Sequence, residues 1–474
     1  METLHNIIDN LQDFLWTYIN IGLLIGCAIY FTVRTRFIQF RLLGDMVRQM
    51  FSSGKSAGSH GGDGQAEKGK KPISSFQAFI VALASRIGTG NLAGVATAIS
   101  VGGPGAIFWM WVMALFGAAT AFVESTLAQL YKRKGKRSYH GGPAYYMRHG
   151  LHRKWMGILF SILIIITFGF ANNAMQSNTI ALACEQAFNI PLTVMGVLLS
   201  ALTVAIIFGG IHRIARVSSA LVPVMAVAYL VIAVWVVITH ISIIPDIMRM
   251  IVSEAFGAGQ FAGGTLGTVV MIGVKRGLFS NEAGEGSAPN AAATATVSHP
   301  VKQGLIQALG VFTDTLVVCS CTAFVILCSG VDFTAADGIQ LTQNAMTAEI
   351  GGAGNTIIAI MIWLFAFSTI IANCYYGETN LLYFSRSRIM LFIYRLTAAG
   401  FVMMGALMTL SFAWSMIDLC MAMITICNLA AIIQLYPKVH RLVADYMRQR
   451  REGKDPVFTH KVMPDISPED IEAW

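Results

Sequence analysis

Ile87-Gly88-Thr89-Gly90-Asn91 interrupts an apolar run over residues 75–100, and Gly277-Leu278-Phe279-Ser280-Asn281-Glu282-Ala283-Gly284-Glu285-Gly286-Ser287 interrupts a second over 262–296. Glycine disfavours a helix interior by about 1 kcal/mol relative to alanine, and polar residues at membrane depth are costly unless buried in protein or facing water. Both runs therefore read as helices broken in mid-span. Working outward from them, apolar runs recur at residues 14–33, 106–131, 154–180, 191–209, 217–239, 303–329, 355–384, 389–410 and 412–436. Each is close to the roughly 20 residues a bilayer crossing needs, which predicts an all-α polytopic membrane protein with about 11 transmembrane helices. Composition agrees: 55% of residues are hydrophobic and 12% charged, against roughly 25% charged in soluble domains.

The broken runs are the second and the seventh, five spans apart. Because five is odd, a repeat of spans 2–6 in spans 7–11 is inverted in the membrane, with each half opening on a discontinuous helix. That arrangement is the best sequence pointer to a transporter binding site near the bilayer midplane. The chain divides accordingly into residues 1–33 (N-terminal segment and accessory helix), 34–73 (basic cytoplasmic linker), 74–240 (first five-helix repeat), 241–436 (second, inverted repeat) and 437–474 (cytoplasmic tail). Basic residues behind the net charge of +8 sit on alternate loops, Arg34 to Lys71, Lys132 to Arg137, Arg213 with Arg216, Lys302, Arg386 with Arg388, and Lys438 to Lys454, and the intervening loops are nearly free of them, with Arg249 the exception. By the positive-inside rule the N-terminus lies outside and the C-terminus in the cytoplasm. That pattern removes nucleic acid as the reason for the charge. The first run has no basic stretch before it and reads as a retained helix rather than a cleaved signal.

An unwound turn exposes N–H groups at the start of one half-helix, which bind anions, and carbonyls at the end of the other, which bind cations. At Gly88, Thr89 and Gly90 the absent side chains let a small zwitterion approach the backbone, and the Thr89 hydroxyl can donate to its carboxylate. Asn91 adds a polar group. Phe279, Ser280 and Asn281 offer carbonyls and polar side chains to an ammonium group, so the pair suits a small amino acid. Gly94 and Gly102 read instead as small residues for close helix packing. In span 4, Asn173 and Gln176 share a helix face and become candidate lining residues. In span 9, Ser368 and Thr369 supply hard oxygens of the kind an alkali cation needs, although such hydroxyls also commonly bond back to their own helix.

Arg86, Glu124, Lys275, Arg276, Glu282, Glu285, Asp314, Glu378, Arg395 and Asp418 lie inside spans, where ion pairing is the expected arrangement. Arg86, near mid-depth, is expected to pair with one of these acids. Gly54-Lys55-Ser56 lacks the upstream glycine of a phosphate-binding loop, which argues against an ATP-driven pump. Gly88 to Ala93 matches a permissive dinucleotide fingerprint, but inside a membrane span with no preceding strand that reading fails. No nucleophile–base or metal constellation points to an enzyme. The eight cysteines form neither a disulfide framework nor a zinc site. A channel fits less well than alternating access, because two broken helices in one chain do not make a ring of identical loops.

Ile87-Gly88-Thr89-Gly90-Asn91-Leu92-Ala93-Gly94-Val95-Ala96, Gly102-Gly103-Pro104-Gly105-Ala106-Ile107-Phe108-Trp109-Met110-Trp111, Gly141-Gly142-Pro143-Ala144-Tyr145-Tyr146 and Phe279-Ser280-Asn281-Glu282-Ala283-Gly284 together resemble the alanine or glycine:cation symporter family over almost the whole chain. The resemblance implies a LeuT-like five-plus-five inverted repeat with one extra N-terminal helix in a bacterial or archaeal plasma membrane. It implies sodium-coupled, sometimes proton-coupled, uptake of alanine, glycine or a related small neutral amino acid. No cofactor is implied beyond sodium as the co-transported cation, and the partners expected are the substrate and membrane lipid around a functional monomer. Carried over by motif, Thr89 and Gly90 would hold the substrate carboxylate, and Gln176 and the stretch near Ser280 would line the pocket. The carbonyls of Ala84 and Ile87 would join Ser368 and Thr369 around sodium. Two departures bear on the ion: Arg86 stands beside the break where a small or hydroxyl residue is common, and Ile371-Ala372-Asn373-Cys374-Tyr375-Tyr376 replaces a usual Gly-Trp-Ser before the tyrosines. A fixed guanidinium there would weaken a cation site or stand in for the cation.

Overall fold

The computed structural model describes residues 2–52, 73–135, 139–209, 211–257 and 266–474. The Gly- and Lys-rich stretch at 53–72 lies outside the described residues. Helix α1 runs from Glu2 to Arg34 through a π-type turn at Trp16–Asn20. Helix α2 is broken: α2a (Ser75–Arg86) meets α2b (Gly90–Gly102) at a bend of 50°. Then follow α3 (Gly105–Leu130), α4 (Lys154–Phe188), α5 (Leu192–Ile207) and α6 (Ile211–Thr239). Helix α7 is the second broken element, with α7a (Leu266–Asn281) separated from α7b (Ala288–Ala292). The series ends with α8 (Pro300–Cys328), α9 (Ala353–Phe384), α10 (Arg388–Leu407) and α11 (Leu410–Arg451). Among the described residues eight helices are long and apolar enough to span a bilayer, or nine with the bent α2 pair taken as one. The short α5 and the divided α7 make up the difference from the eleven spans expected.

Shorter helices connect these: Ile38–Arg41, Leu43–Ser52, Pro143–Gly150, Ile244–Phe256 and Gly338–Ile350. Residues 38–52, expected as linker, are thus largely helical, and Leu43–Ser52 packs on α8. Its Met46 explains why: that side chain is fully buried, whereas Val47 beside it is exposed. Helix α11 continues past residue 436 to Arg451 despite Pro437, so the first part of the C-terminal tail is helical. The remaining tail folds back on the helix ends: Phe458 N–H donates to the Ser298 carbonyl (2.8 Å) and Trp474 Nε1 to the Gln129 carbonyl (3.0 Å).

Helix α3 packs on α8, α4 on α9 and α5 on α10. Each contact joins elements at the same position in the two sets of five, as expected where inverted halves meet. Small residues permit the approach. A Cβ on Gly405 would stand 2.3 Å from the Ala174 carbonyl oxygen, so α10 and α4 touch backbone to backbone there.

Among the described residues, five of the ten intramembrane charges form ion pairs. Arg276 Nη2 lies 2.7 Å and Lys275 Nζ 3.4 Å from Asp418 Oδ2, and Arg395 meets Glu378 at 2.8 Å. Trp16 Nε1 donates to the Asp418 carbonyl (2.9 Å) and Lys275 Nζ to Gln12 Oε1 (2.8 Å), which fastens α1 to α7a and α11. Arg86 departs from the expected pairing. Its Nη1 donates to the Gln307 carbonyl (3.1 Å), and it forms no ion pair among the described residues. A Cβ on Gly310 would come within 2.3 Å of that nitrogen, so the guanidinium is wedged against α8.

Candidate functional site

Helix α2a closes with Ile87 N–H on the Leu83 carbonyl (2.8 Å), and Ile87 then leaves helical geometry at ψ 89°. The carbonyls released at this end do not face solvent. Thr369 Oγ1, from the middle of α9, lies 2.9 Å from Ala84 O, 3.2 Å from Ile87 O and 3.1 Å from Phe365 O. A hydroxyl has one proton and serves one carbonyl at a time. Four hard oxygens therefore converge with a surplus of lone pairs, which is a setting for an alkali cation. Ser368 Oγ bonds back to the Phe365 carbonyl (2.9 Å) and otherwise faces Met225 Sδ at 3.9 Å. It touches this cluster through one shared carbonyl and does not reach the break. The Phe365 carbonyl had no sequence signal, since only the helical turn of α9 brings it under Thr369.

On the α2b side, Gly88 N–H donates to Asn91 Oδ1 (2.9 Å) and Thr89 N–H to Gln176 Oε1 (2.9 Å). Two side-chain oxygens thus occupy the N–H groups that could receive a carboxylate. The Thr89 hydroxyl is buried and has no hydrogen-bond partner among the described residues. Gln176 is held by Asn172 Oδ1 (2.7 Å), whereas Asn173 bonds to the Gly169 carbonyl and to Cys374 Sγ on α9, away from the break. A Cβ at Gly88 would lie 2.4 Å from Thr369 Oγ1 and 2.7 Å from Gln176 Oε1. Gly88→Ala is therefore expected to abolish transport while costing about 1–3 kcal/mol of overpacking. Uptake assayed beside a size-exclusion profile checks this; a monodisperse, fully active variant would contradict it.

The second break lies later than the sequence suggested. Gly277 to Asn281 remain in α7a, and the chain unwinds over Glu282 to Ser287. Positive φ angles mark the link, at Glu282 (55°), Gly284 (101°) and Gly286 (79°). Gly277 serves another purpose: a Cβ there would sit 3.3 Å from Met110 Cα, so it admits α3 rather than breaking the helix. Phe279 and Ser280 consequently meet the α2 break from the last helical turn, whereas Asn281 turns to Thr315 on α8 and accepts from the Ala283 N–H. Asn91 Nδ2 reaches Asp314 Oδ1 (2.7 Å) and Ser280 Oγ (3.2 Å). Ser280 Oγ and Thr315 Oγ1 donate to Asp314 Oδ2 at 2.5 and 2.9 Å, and Asn281 Nδ2 to Thr315 Oγ1 at 3.3 Å. Asp314, fully buried, ties α2b, α7a and α8 together. From sequence it is only one of several intramembrane charges, because no spacing rule links α8 to either break. Phe279 stacks edge-on against Trp414 (centroids 4.9 Å apart), and Gly90 would carry its Cβ 3.1 Å from the Phe279 ring.

A model of the family described as the sodium:alanine symporter family matches residues 1–460. The chain belongs to the sodium:alanine symporter family. It is 47% identical over 475 residues to the amino-acid carrier protein AlsT of Bacillus subtilis, covering 100% of this chain and 98% of that one. It is 46% identical over 474 residues to the probable sodium/glutamine symporter GlnT of the same organism, covering 100% and 96%. Among solved structures, MhsT in complex with L-phenylalanine superposes with a TM-score of 0.52 at 12% identity, covering 81% of this chain and 90% of that one. The fold is LeuT-like. This symporter is a multi-pass membrane protein of a family of transporters, not an enzyme, and cation-coupled symport of a small amino acid is its activity.

Proposed function

We propose that this symporter couples inward sodium movement to uptake of a small neutral amino acid, alanine or glycine, by alternating access at the α2 and α7 breaks. The observation that carries the reading is the convergence of the Ala84, Ile87 and Phe365 carbonyls on Thr369 Oγ1, one residue from the Gly88–Thr89 N–H groups. Cation and carboxylate would then sit on opposite sides of one unwound turn, so that each stabilises the other electrostatically. Gly88, Thr89, Gly90, Asn91, Gln176, Phe279, Ser280 and Asn281 would surround the substrate, with Asn173 behind them supporting α4 against α9. The closeness of Gly90 to Phe279 and Ser280 leaves room for a small side chain. The N-terminus would face outward and the C-terminal tail the cytoplasm, in the plasma membrane, with the monomer as the working unit.

Purified protein in proteoliposomes, given radiolabelled alanine, glycine or glutamine with and without an inward sodium gradient, tests this. Alanine or glycine uptake driven by sodium is expected. Preference for glutamine would move the substrate toward that of the GlnT relative, and uptake indifferent to sodium would remove the ion assignment. Thr89→Val is expected to weaken substrate binding by roughly 10–100-fold, the equivalent of a hydrogen bond to a charged group worth about 1.5–3 kcal/mol. Equilibrium binding of labelled substrate measures it, and unchanged affinity would take Thr89 out of the pocket. A second reading, a proton-coupled or sodium-independent carrier of the same fold, is favoured by one observation: a set of buried glutamates beside Arg86.

A further inference from the structure

Glu124 on α3 and Glu282 and Glu285 in the α7 link are 0%, 2% and 1% exposed. Glu124 receives the Gly284 and Gly286 N–H groups (3.3 and 3.2 Å) and Asn428 Nδ2 (2.8 Å). Glu282 receives the Ser85 and Ser287 hydroxyls, at 2.6 and 2.5 Å. Glu285 has no such service among the described residues: its Oε1 is buried with no hydrogen-bond partner there. Among the described residues Arg86 is the one cation within electrostatic reach of all three carboxyls, it also reaches Asp314 on α8, and it contacts none of them. Its Nε and Nη2 are buried and unpartnered among the described residues, and the hydroxyl of Tyr376 on α9 faces Glu282 and Ser85. On the Glu124 side, Tyr146 donates to Asn428 Oδ1.

Three ionised carboxyls against one guanidinium would leave two uncompensated negative charges in a dry interior. Each uncompensated buried ion costs several kcal/mol, so such groups take up a proton instead. Three donors stabilise an ionised Glu124 and two hydroxyls stabilise an ionised Glu282. A proton is therefore retained most readily on Glu285.

We propose that the Glu285 carboxyl, set among Glu282, Glu124 and Arg86, is a proton-binding site of the transport cycle, loaded while the two breaks are packed together and emptied when they part. The Ser85–Glu282 hydrogen bond joins α2a to the α7 link, so separation of these elements opens the cluster to water. Water then stabilises the ionised form, and the proton leaves Glu285 toward the face that carries the C-terminal tail, where residue 298 beyond α7b meets Phe458.

Two measurements test this, and only the second rests on the symport reading. Infrared spectra of the substrate-free protein at neutral pH, in water and in heavy water, are expected to show the carbonyl stretch of a protonated, poorly solvated carboxylic acid, absent from Glu285→Gln. No such band in the wild type, or an undiminished band in the variant, overturns the proposal; the wild-type spectrum alone decides if the variant does not fold. In proteoliposomes at a fixed sodium gradient, wild-type uptake is expected to change with lumenal pH, and Glu285→Gln to lose that response. Sodium-driven uptake identical at acid and alkaline lumenal pH overturns the role in transport while leaving symport intact. Absence of uptake of any amino acid fails the symport reading, and the infrared band still decides the proton site.

Discussion

Thr369→Ala is expected to raise the sodium concentration needed for half-maximal uptake by roughly 10–100-fold. Among the described residues the hydroxyl is the only side-chain oxygen that lies between both carbonyls of the α2a end and the Phe365 carbonyl, at 2.9–3.2 Å. Its removal takes away one ligand and leaves three carbonyl dipoles facing one another, so what remains is a weaker and less ordered cage. An interaction of a hydroxyl oxygen with a full charge is worth about 1.5–3 kcal/mol, and that sets the range. Thr369→Ser keeps the oxygen and should stay close to the wild type. Ser368→Ala should have the smaller effect, because that hydroxyl meets only the Phe365 carbonyl of this group. Sodium titrations of uptake at saturating amino acid separate the three variants. A Thr369→Ala titration that overlays the wild type would show that the carbonyl cluster is structural and that the coupling ion binds elsewhere.

Periodicity and glycine content made the fold readable. A run of apolar residues long enough to span hydrocarbon is a local property, and a glycine-rich interruption within it is another. The two breaks and their five-span offset therefore needed no tertiary information. Half of the candidate site was legible for the same reason: Gly88, Thr89 and Asn91 stand out by being polar or small at membrane depth. The position of the second break was not, because Gly277 and Gly284 look alike in sequence. The first is a glycine that accommodates Met110 of α3, the second one that adopts a positive φ. Asp314 and the Phe365 carbonyl were hidden for a different reason. Each acts across helices whose register depends on side-chain packing, and a backbone carbonyl carries no residue identity to read. Arg86 was misjudged by the pairing rule, which counts charges in a span without knowing that a glycine at 310 would let the guanidinium settle on the Gln307 carbonyl.

Asp418→Ala is expected to cost the fold about 3–5 kcal/mol, the range for breaking a buried ion pair by removing one partner. Two cations share this carboxylate, Arg276 at 2.7 Å and Lys275 at 3.4 Å, and all three side chains are 5% exposed or less. Arg276 already leaves Nε and Nη1 buried without partners. Its remaining support is the Trp414 ring, 3.8 Å from the guanidinium carbon, a contact worth at most about 2 kcal/mol when desolvated. Lys275 retains Gln12 Oε1, a neutral acceptor that does not offset its charge. The Trp16 bond to residue 418 goes to the backbone and survives the substitution, so the loss should register as uncompensated charge and not as detachment of α1. Arg395→Ala offers the contrast: its partner Glu378 is 15% exposed, closer to water, and the penalty should be smaller. Thermal unfolding of the detergent-solubilised variants measures both. The double variant Asp418→Leu with Arg276→Met should recover part of the loss, since removing a cation along with the acid halves the unpaired charge that remains. If Asp418→Ala melts with the wild type, the cations must reach water or lipid headgroups by snorkelling, and the α7a–α11 contact is then held by packing alone.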